Sequence, residues 1–198
     1  MVAVAKNNPS EYPVDNMLAE VQLGLLQSQK TLPAKYFYDK QGAELFEAIC
    51  ELPEYYPTRT ELAILQQYAG EMAAALGEHC LLIEPGSGAG AKARLLLQEM
   101  IAPAGFVPID VAAEQLERVA ANIHHDHAML PVYPTVGDFS QLESLPELPN
   151  GSRAVFFPGS TIGNFAPQQA QSLLSRIANW VGSAGQLLIG VDLVKPVA

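Results

Sequence analysis

The sequence has few cysteines and few basic residues, and it lacks a long apolar run. Only Cys50 and Cys80 occur in 198 residues, and they are too far apart for a metal or redox motif, so we expect two free thiols in a reducing compartment. Lysine and arginine number 11 against 21 acidic residues, which argues against a nucleic-acid partner because phosphate contacts require clustered positive charge. No apolar run approaches the roughly 20 residues that span a bilayer, and the N-terminus has no signal-peptide pattern. We therefore expect a cytoplasmic protein without a membrane partner.

The remaining composition is that of a globular protein that binds a small molecule. With 198 residues and a hydrophobic fraction of 49%, the chain is long enough to bury a sizeable core. A formal net charge of −10 suits a zwitterionic or cationic small substrate, although the same acidity also serves solubility.

The first part of the chain predicts only helices and loops. Apolar residues recur at helical spacing from Val14 to Gln29, and a second short helix fits Ala43 to Leu52. Thr58, followed three residues later by Glu61, has the spacing of a capping box, which predicts that a longer helix begins there and ends at Gly77.

From residue 78 onwards, short apolar runs alternate with amphipathic helical segments. The five runs are CLLIE, GFVPIDV, LPVYPTV, RAVFFPG and GQLLIGVDLV. This alternation predicts an α/β fold, a Rossmann-like sheet of parallel strands with helices on both faces. We therefore divide the chain into a helical, substrate-side region, residues 1–77, and a Rossmann-like core, residues 78–198. Because the last run ends close to residue 198, we expect the sheet to be incomplete and the chain to be a fragment or to need a complementing C-terminal chain.

The stretch EPGSGAG, between the first run and the following helix, predicts a ligand-binding turn. Gly86, Gly88 and Gly90 remove side chains where a strand leads into a helix, and the helix N-terminus offers unpaired amide groups. The pattern departs from the dinucleotide motif G-x-G-x-x-G, because Ala91 stands where the third glycine would be. A glycine-rich turn without a ligand has the same pattern.

Two acidic residues follow the next two apolar runs. Asp110 lies about 20 residues beyond the glycines, where a carboxylate can accept hydrogen bonds from ribose hydroxyls, or it caps the next helix. Asp138 and Phe139 follow the third run. There the carboxylate of Asp138 can accept a hydrogen bond from an exocyclic amine, and the ring of Phe139 can cover a purine face. Alternatively, Asp138 stabilises a turn and Phe139 belongs to the core. Since ligands of open α/β sheets bind at the carboxyl ends of the strands, these features together predict an adenosine pocket.

Several longer motifs resemble the histidine Nα-methyltransferase family of ergothioneine biosynthesis (the EgtD family). They are YFYDKQGAELFEAICELPEYYPTRTELAIL, LIEPGSGAGAKARLLL, FVPIDV, GDF, FFPGSTIGNF and LLIGVDLVK. The similarity runs in unchanged order from about Leu32 to Lys195, and LPEYYPTR and GSTIGN are more specific than a glycine loop. The resemblance implies an enzyme that uses S-adenosylmethionine to trimethylate the α-amine of histidine.

The resemblance also implies residues on the cofactor side. Gly86 and Lys92 would line the methionine end with Gly88 in the same loop, Asp110 the ribose, and Asp138 with Phe139 the adenine. Lys92 has an alternative interpretation as a solvated residue of the first helical turn.

On the substrate side, the resemblance implies Tyr55 and Asn164 as the residues that hold the backbone groups of the amino acid and orient its amine. Gly159 would lie nearby, and Tyr38 is a further candidate. Alternatively, the two tyrosines belong to the core, and Asn164 caps the helix that follows it.

Family members continue well beyond DLVK, into a region that contacts the imidazole of histidine. We therefore expect the 198-residue chain alone to methylate histidine poorly and a family-like C-terminal region to restore turnover. A methyltransferase of another small amine, and a nonenzymatic cofactor-binding chain that needs a C-terminal partner, remain alternatives. The cluster HHDH, His124 to His127, has no second set of ligands beside it, so we expect no metal site.

The ribose assignment predicts that Asp110→Ala weakens S-adenosylmethionine binding roughly tenfold to a hundredfold, because a hydrogen bond to a charged group contributes about 1.5–3 kcal/mol. Titration calorimetry on the wild type and the variant measures this. The assignment is wrong if the wild type binds no cofactor or the variant binds equally well.

Overall fold

The computed structural model describes residues 14–37 and 39–194. Tyr38, a predicted substrate contact, lies outside the described residues, and so does Lys195, the end of the family resemblance.

Three helices precede the sheet. Helices α1, α2 and α3 are Val14–Leu26, Lys40–Cys50 and Tyr56–Leu76. A short 3-10 helix, Ala34–Phe37, lies between the first two. Helix α2 is capped by Asp39, whose Oδ1 accepts a hydrogen bond from the Gly42 amide at 2.7 Å. The predicted helices are present, with ends that differ from the predicted ends by a few residues.

The start of α3 corrects one prediction. Thr58 and Glu61 do not form a capping box, because α3 begins at Tyr56, with Pro57 in its first turn. The φ angle of proline is already that of a helix, so a proline favours the first helical position. The Thr58 hydroxyl donates instead to Cys50 Sγ at 3.3 Å, and Glu61 contacts loops outside the helix.

The second part of the chain forms a parallel sheet of five strands in the order β3-β2-β1-β4-β5. The strands β1 to β5 are Leu81–Pro85, Gly105–Asp110, Thr135–Val136, Arg153–Phe157 and Gln186–Ile189. Helices α4, α5 and α6 connect them and are Ala91–Glu99, Ala113–Asp126 and Pro167–Val181. The predicted α/β sheet with helices on both faces is therefore confirmed.

Alternate residues of the central strands point into two separate apolar layers, as the period of a strand requires. On one face, Leu82 and Phe106 pack with side chains of α3, α4 and α5. On the other face, Ile83 and Phe157 pack with α6, including Trp180. Burial on both faces explains why these strands read as continuous apolar runs.

Strand order reverses at β1, which pairs with β2 on one side and β4 on the other. Loops that leave the carboxyl ends of these three strands therefore open at one edge, the usual ligand position in an open α/β sheet. Among the described residues, no helix is both long and apolar enough to cross a bilayer.

Central packing of β1 predicts that Ile83→Ala lowers the free energy of unfolding by about 2–5 kcal/mol, because it leaves a cavity between the sheet and α6. Ile83 is 0% exposed. The matched control is Ile101→Ala at a 62% exposed position, where we expect a change within about 0.5 kcal/mol. Urea denaturation of both variants measures the difference, and equal losses would contradict the packing.

Candidate cofactor and substrate site

The glycine loop between β1 and α4 is shaped by three positive φ angles, +70° at Gly86, +51° at Gly88 and +70° at Gly90. A Cβ atom at Gly90 would lie 2.9 Å from Val119 Cγ1, and one at Gly86 would lie 3.2 Å from the Phe139 ring. A Cβ atom at Gly88 would meet nothing within 4 Å. The first and third glycines therefore permit close packing, while the second borders open space that a ligand could fill.

Asp110, at the end of β2, reaches across to this loop. Its Oδ2 accepts a hydrogen bond from the Gly88 amide at 3.0 Å, and its Oδ1 accepts one from the Ala112 amide at 3.1 Å. Helix α5 begins at Ala113 with no side-chain cap, so Asp110 is not its N-cap. The half-buried carboxylate connects the loops after β1 and β2.

Asp138 and Phe139 follow β3. Asp138 Oδ1 accepts hydrogen bonds from the amide and hydroxyl of Ser140, at 2.9 and 2.6 Å. The Phe139 ring packs edge-on against Phe157 and Phe165, with centroids 5.8 and 6.1 Å apart. Asp138 therefore stabilises a turn and Phe139 packs in the core, as the alternatives predicted. Phe139 also contacts Gly86, so its ring borders the glycine loop.

Lys35 joins the helical region to the loop after β3, a contact that the sequence patterns did not indicate. Its Nζ lies 3.0 Å from a Glu20 carboxylate oxygen and 3.2 Å from Asp138 Oδ2. The Tyr36 hydroxyl donates to Glu20 at 2.8 Å. Burial alone would lower the pKa of Lys35, but the hydrogen bonds to the two carboxylates outweigh it and raise that pKa.

Glu84 lies on β1 beneath the glycine loop and is 2% exposed. The Ser87 hydroxyl donates to its Oε2 at 2.6 Å. Burial raises the pKa of Glu84 to about 8, although the Ser87 hydrogen bond and the charge of Lys92 oppose the shift. The carboxyl group is therefore protonated at neutral pH.

Lys92 and Glu61 meet at the first turn of α4. Lys92 Nζ lies 2.5 Å from Glu61 Oε2, and their side chains are 21% and 17% exposed. The alternative of a solvated Lys92 is therefore wrong. Both Glu61 oxygens also accept the Gly159 amide, at 2.7 and 2.9 Å, so one carboxylate connects α3, α4 and the loop after β4.

Sequence patterns missed this role of Glu61 because its spacing from Thr58 matches a capping box. The arrangement of Lys92 and Gly159 around it depends on the fold and has no local signal.

Tyr55 and Asn164, the two predicted substrate residues, lie in different loops, and the segment after β5 contacts residues next to both loops. Tyr55 precedes α3, half-buried, with its ring edge-on to Phe46 at 5.9 Å. Asn164 ends the 3-10 helix Thr161–Asn164 and is exposed. The segment after β5 links their surroundings, because Asp192 accepts from the Tyr56 hydroxyl while its amide donates to Ser160 Oγ at 3.0 Å.

The N-cap alternative for Asn164 is wrong. Helix α6 begins at Pro167, and the preceding Ala166 amide donates to Gln169 Oε1 at 3.0 Å. Asn164 is therefore left outside the helix, on the exposed side of the GSTIGN loop.

The HHDH cluster lies at the end of α5. Asp126 pairs with Arg94 and lies 3.0 Å from His125 Nδ1. Within residues 14–37 and 39–194, no three histidine, cysteine or acidic side chains are grouped as metal ligands.

Solved structures identify the class of fold. The mitomycin 7-O-methyltransferase MmcR superposes with a TM-score of 0.57 at 15% sequence identity, over 93% of this chain and 50% of that chain. The sheet order, with a glycine loop after its central strand, is that of the Rossmann-like fold of S-adenosylmethionine-dependent methyltransferases.

Sequence comparison identifies the family within that class. A family model described as "Histidine-specific methyltransferase, SAM-dependent" matches residues 17–198. The chain belongs to this family, which confirms the resemblance found in the sequence motifs and the cofactor predicted from them.

Curated relatives agree with the family match. The chain is 41% identical over 183 residues to the histidine N-alpha-methyltransferase of Mycobacterium tuberculosis, which covers 90% of this chain and 56% of that protein. It is 42% identical over 180 residues to that of Mycolicibacterium smegmatis, with 89% and 55% covered. The chain therefore spans about half the length of these relatives.

The raised pKa of Glu84 predicts that stability falls as pH rises. The unfolded chain loses this proton near pH 4.5, whereas the folded protein keeps it until about pH 8, so folding is linked to proton binding between these values. We expect the free energy of unfolding of the wild type to fall by more than about 1 kcal/mol across this window. Glu84→Gln should abolish this fall, because the variant has no carboxyl group at this position.

Urea denaturation from about pH 5 to pH 8 measures that loss. The control is Glu78→Gln, an exposed glutamate next to β1, which should keep the wild-type slope. A Glu84→Gln variant with the wild-type slope would contradict the assignment.

Proposed function

We propose that this protein transfers methyl groups from S-adenosylmethionine to the α-amine of histidine, to give the trimethylated amino acid. One observation carries the proposal: the glycine loop, Asp110 and the Gly159 loop converge at the carboxyl edge of β1 in a chain of this family. The composition supports a small substrate, since the net charge is −10 and a zwitterion or a cation suits an acidic surface.

The residues at this edge fit the cofactor. Open space above Gly88 provides room, and the Gly88 amide already contacts the Asp110 carboxylate that we assign to the ribose. Phe139 borders Gly86 and can cover one face of the adenine, and Asp138 is assigned to the exocyclic amine. Lys92 and Gly86 remain our assignments for the methionine end.

Asp138 already has partners for both oxygens, Ser140 and Lys35. Adenine recognition by Asp138 therefore requires it to share or exchange the Lys35 contact, since a carboxylate oxygen can accept more than one hydrogen bond.

On the substrate side, we assign Tyr55 and Asn164 to the α-amino and carboxylate groups of histidine. The exposed position of Asn164 leaves its amide able to donate and accept. Gly159, with φ of +81°, presents backbone rather than a side chain beside Lys92. We retain Tyr38 as a further substrate contact and residues 1–77 as the substrate-side region, with the core beginning at residue 78.

The cofactor would supply an electrophilic methyl group on a sulfonium: in-line displacement by the amine would form the N–C bond, break the S–C bond and leave a thioether. The chain's own contribution is to hold the amine in line and to exclude water. The amine must be deprotonated to present its lone pair, and Tyr55 and Asn164 would orient it by hydrogen bonds. Two free cysteines support our further proposal of a cytoplasmic, reducing environment.

A methylation assay with histidine and labelled S-adenosylmethionine, run on the chain supplied with a family-like C-terminal region, tests the proposal, and product mass gives the number of methyl groups added. We expect Asn164→Ala to raise KM for histidine roughly tenfold to a hundredfold, because it removes hydrogen bonds to charged groups of the substrate. The control is Asn179→Ala on the exposed face of α6, which should match the wild type.

Parallel reactions with other amino acids and small amines test the substrate class. Faster turnover of another amine than of histidine would overturn the histidine assignment. Cofactor binding without methylation of any amine, even with the C-terminal region supplied, would favour a nonenzymatic role.

A further inference from the structure

Glu61 occupies a place in the site that the proposed cofactor and substrate residues do not explain. Its carboxylate lies where α3, the first turn of α4 and the loop after β4 meet. Its three close contacts are all with donors: the Gly159 amide reaches both oxygens, at 2.7 and 2.9 Å, and Lys92 Nζ lies at 2.5 Å. A half-buried carboxylate held by a backbone amide and an ammonium is strongly oriented, because charge-assisted hydrogen bonds are the strong ones.

The surrounding backbone is built to admit this carboxylate. A Cβ atom at Gly190, just after β5, would lie 2.1 Å from Glu61 Oε1. Any side chain there would therefore displace the carboxylate, even though the backbone at Gly190 does not need a positive φ. A Cβ atom at Gly159 would lie 3.2 Å from Lys92 Nζ. Two glycines thus leave space for one ion pair.

The ion pair also determines where the positive charge of Lys92 lies. Glu61 on α3 contacts this ammonium, and Glu84 on β1 lies close enough for the charge of Lys92 to influence its pKa. Among the residues that the structure describes, Glu61 is the one carboxylate in direct contact with Lys92, so removing the Glu61 charge would free the ammonium to leave this position.

We propose that Glu61 is a positioning residue, which holds Lys92 and the Gly159 loop in the arrangement that the cofactor requires. It connects the two halves of the site, because α3 begins directly after Tyr55 and Lys92 follows the glycine loop. This inference rests on the proposed function. It adds a residue whose effect on the cofactor passes through Lys92.

A double-mutant cycle with Glu61→Gln and Lys92→Met tests the proposal, with S-adenosylmethionine affinity measured by calorimetry. Glutamine keeps the size of the side chain and an acceptor for the Gly159 amide but loses the charge. We expect Glu61→Gln to weaken binding about tenfold, in the range of a lost charge-assisted hydrogen bond. In the Glu61→Gln background, Lys92→Met should weaken binding by less than about threefold further, because coupled residues are not additive.

The control is Glu71→Gln, an exposed glutamate on the same helix, which should bind the cofactor like the wild type. Gly190→Ala is a second, independent variant, since its methyl group displaces the Glu61 carboxylate without removing a charge. It should weaken binding in the same direction. Thermal denaturation without cofactor distinguishes these effects from loss of folding.

Each result decides between the hypotheses. A wild type that binds no cofactor refutes the proposed function and this inference with it. Normal binding by the wild type and unchanged binding by Glu61→Gln refute the inference alone. Tighter binding by Glu61→Gln would show that Glu61 competes with the ligand for Lys92, and fully additive effects would show that the two residues act separately; both outcomes overturn the proposal.

Discussion

Parallel pairing of β1 on both of its edges is the constraint on which the rest of the structure depends. The strand hydrogen-bonds to β2 and to β4, and all five of its residues are buried. The ends of these three strands are therefore fixed relative to each other by backbone hydrogen bonds inside the core. Gly86, Asp110 and Gly159 lie at or just after those ends. The sheet therefore sets the distances between them, and the loops determine only their orientation. A site built this way is preorganised by the most stable part of the fold.

Electrostatics at this edge favour a cation. The charges of Lys92, Asp110 and Glu61 all lie close enough to Glu84 to influence its pKa. With Glu84 protonated, the carboxylates of Asp110 and Glu61 still outnumber the one ammonium. Each acid accepts a hydrogen bond from a nearby donor, the Gly159 amide, the Ser87 hydroxyl and the Gly88 amide respectively. These donors orient the three carboxyl groups, and at Glu61 and Asp110 they offset negative charge. This arrangement suits a sulfonium cofactor and an amine substrate, the pair that we propose.

The alternation of apolar runs and helical segments was enough to predict the parallel sheet, because buried strands and amphipathic helices have different periods. The glycine loop and Asp110 were predictable for the same reason, since their position at strand ends is a local property. Contacts such as Lys35 with Asp138 and Glu61 with Lys92 were not predictable, because they join residues that are distant along the chain. Thr58 and Glu61 led to a wrong prediction for a different reason. They have the spacing of a capping box, but Pro57 starts the helix earlier, at Tyr56.

The side of the site next to the short edge strand β3 is held less firmly than the side next to β1. Among the described residues, β3 has two residues and pairs only with β2, so few sheet hydrogen bonds hold the segment that carries Asp138 and Phe139. The Lys35 ion pair and a hydrogen bond from Gln141 to Glu20 tie it to the helical region. Segments with few such bonds open at lower free energy than central strands. We therefore expect the side of the site that we assign to the adenine to open by local fluctuation of this segment, while β1 and its glycine loop stay in place.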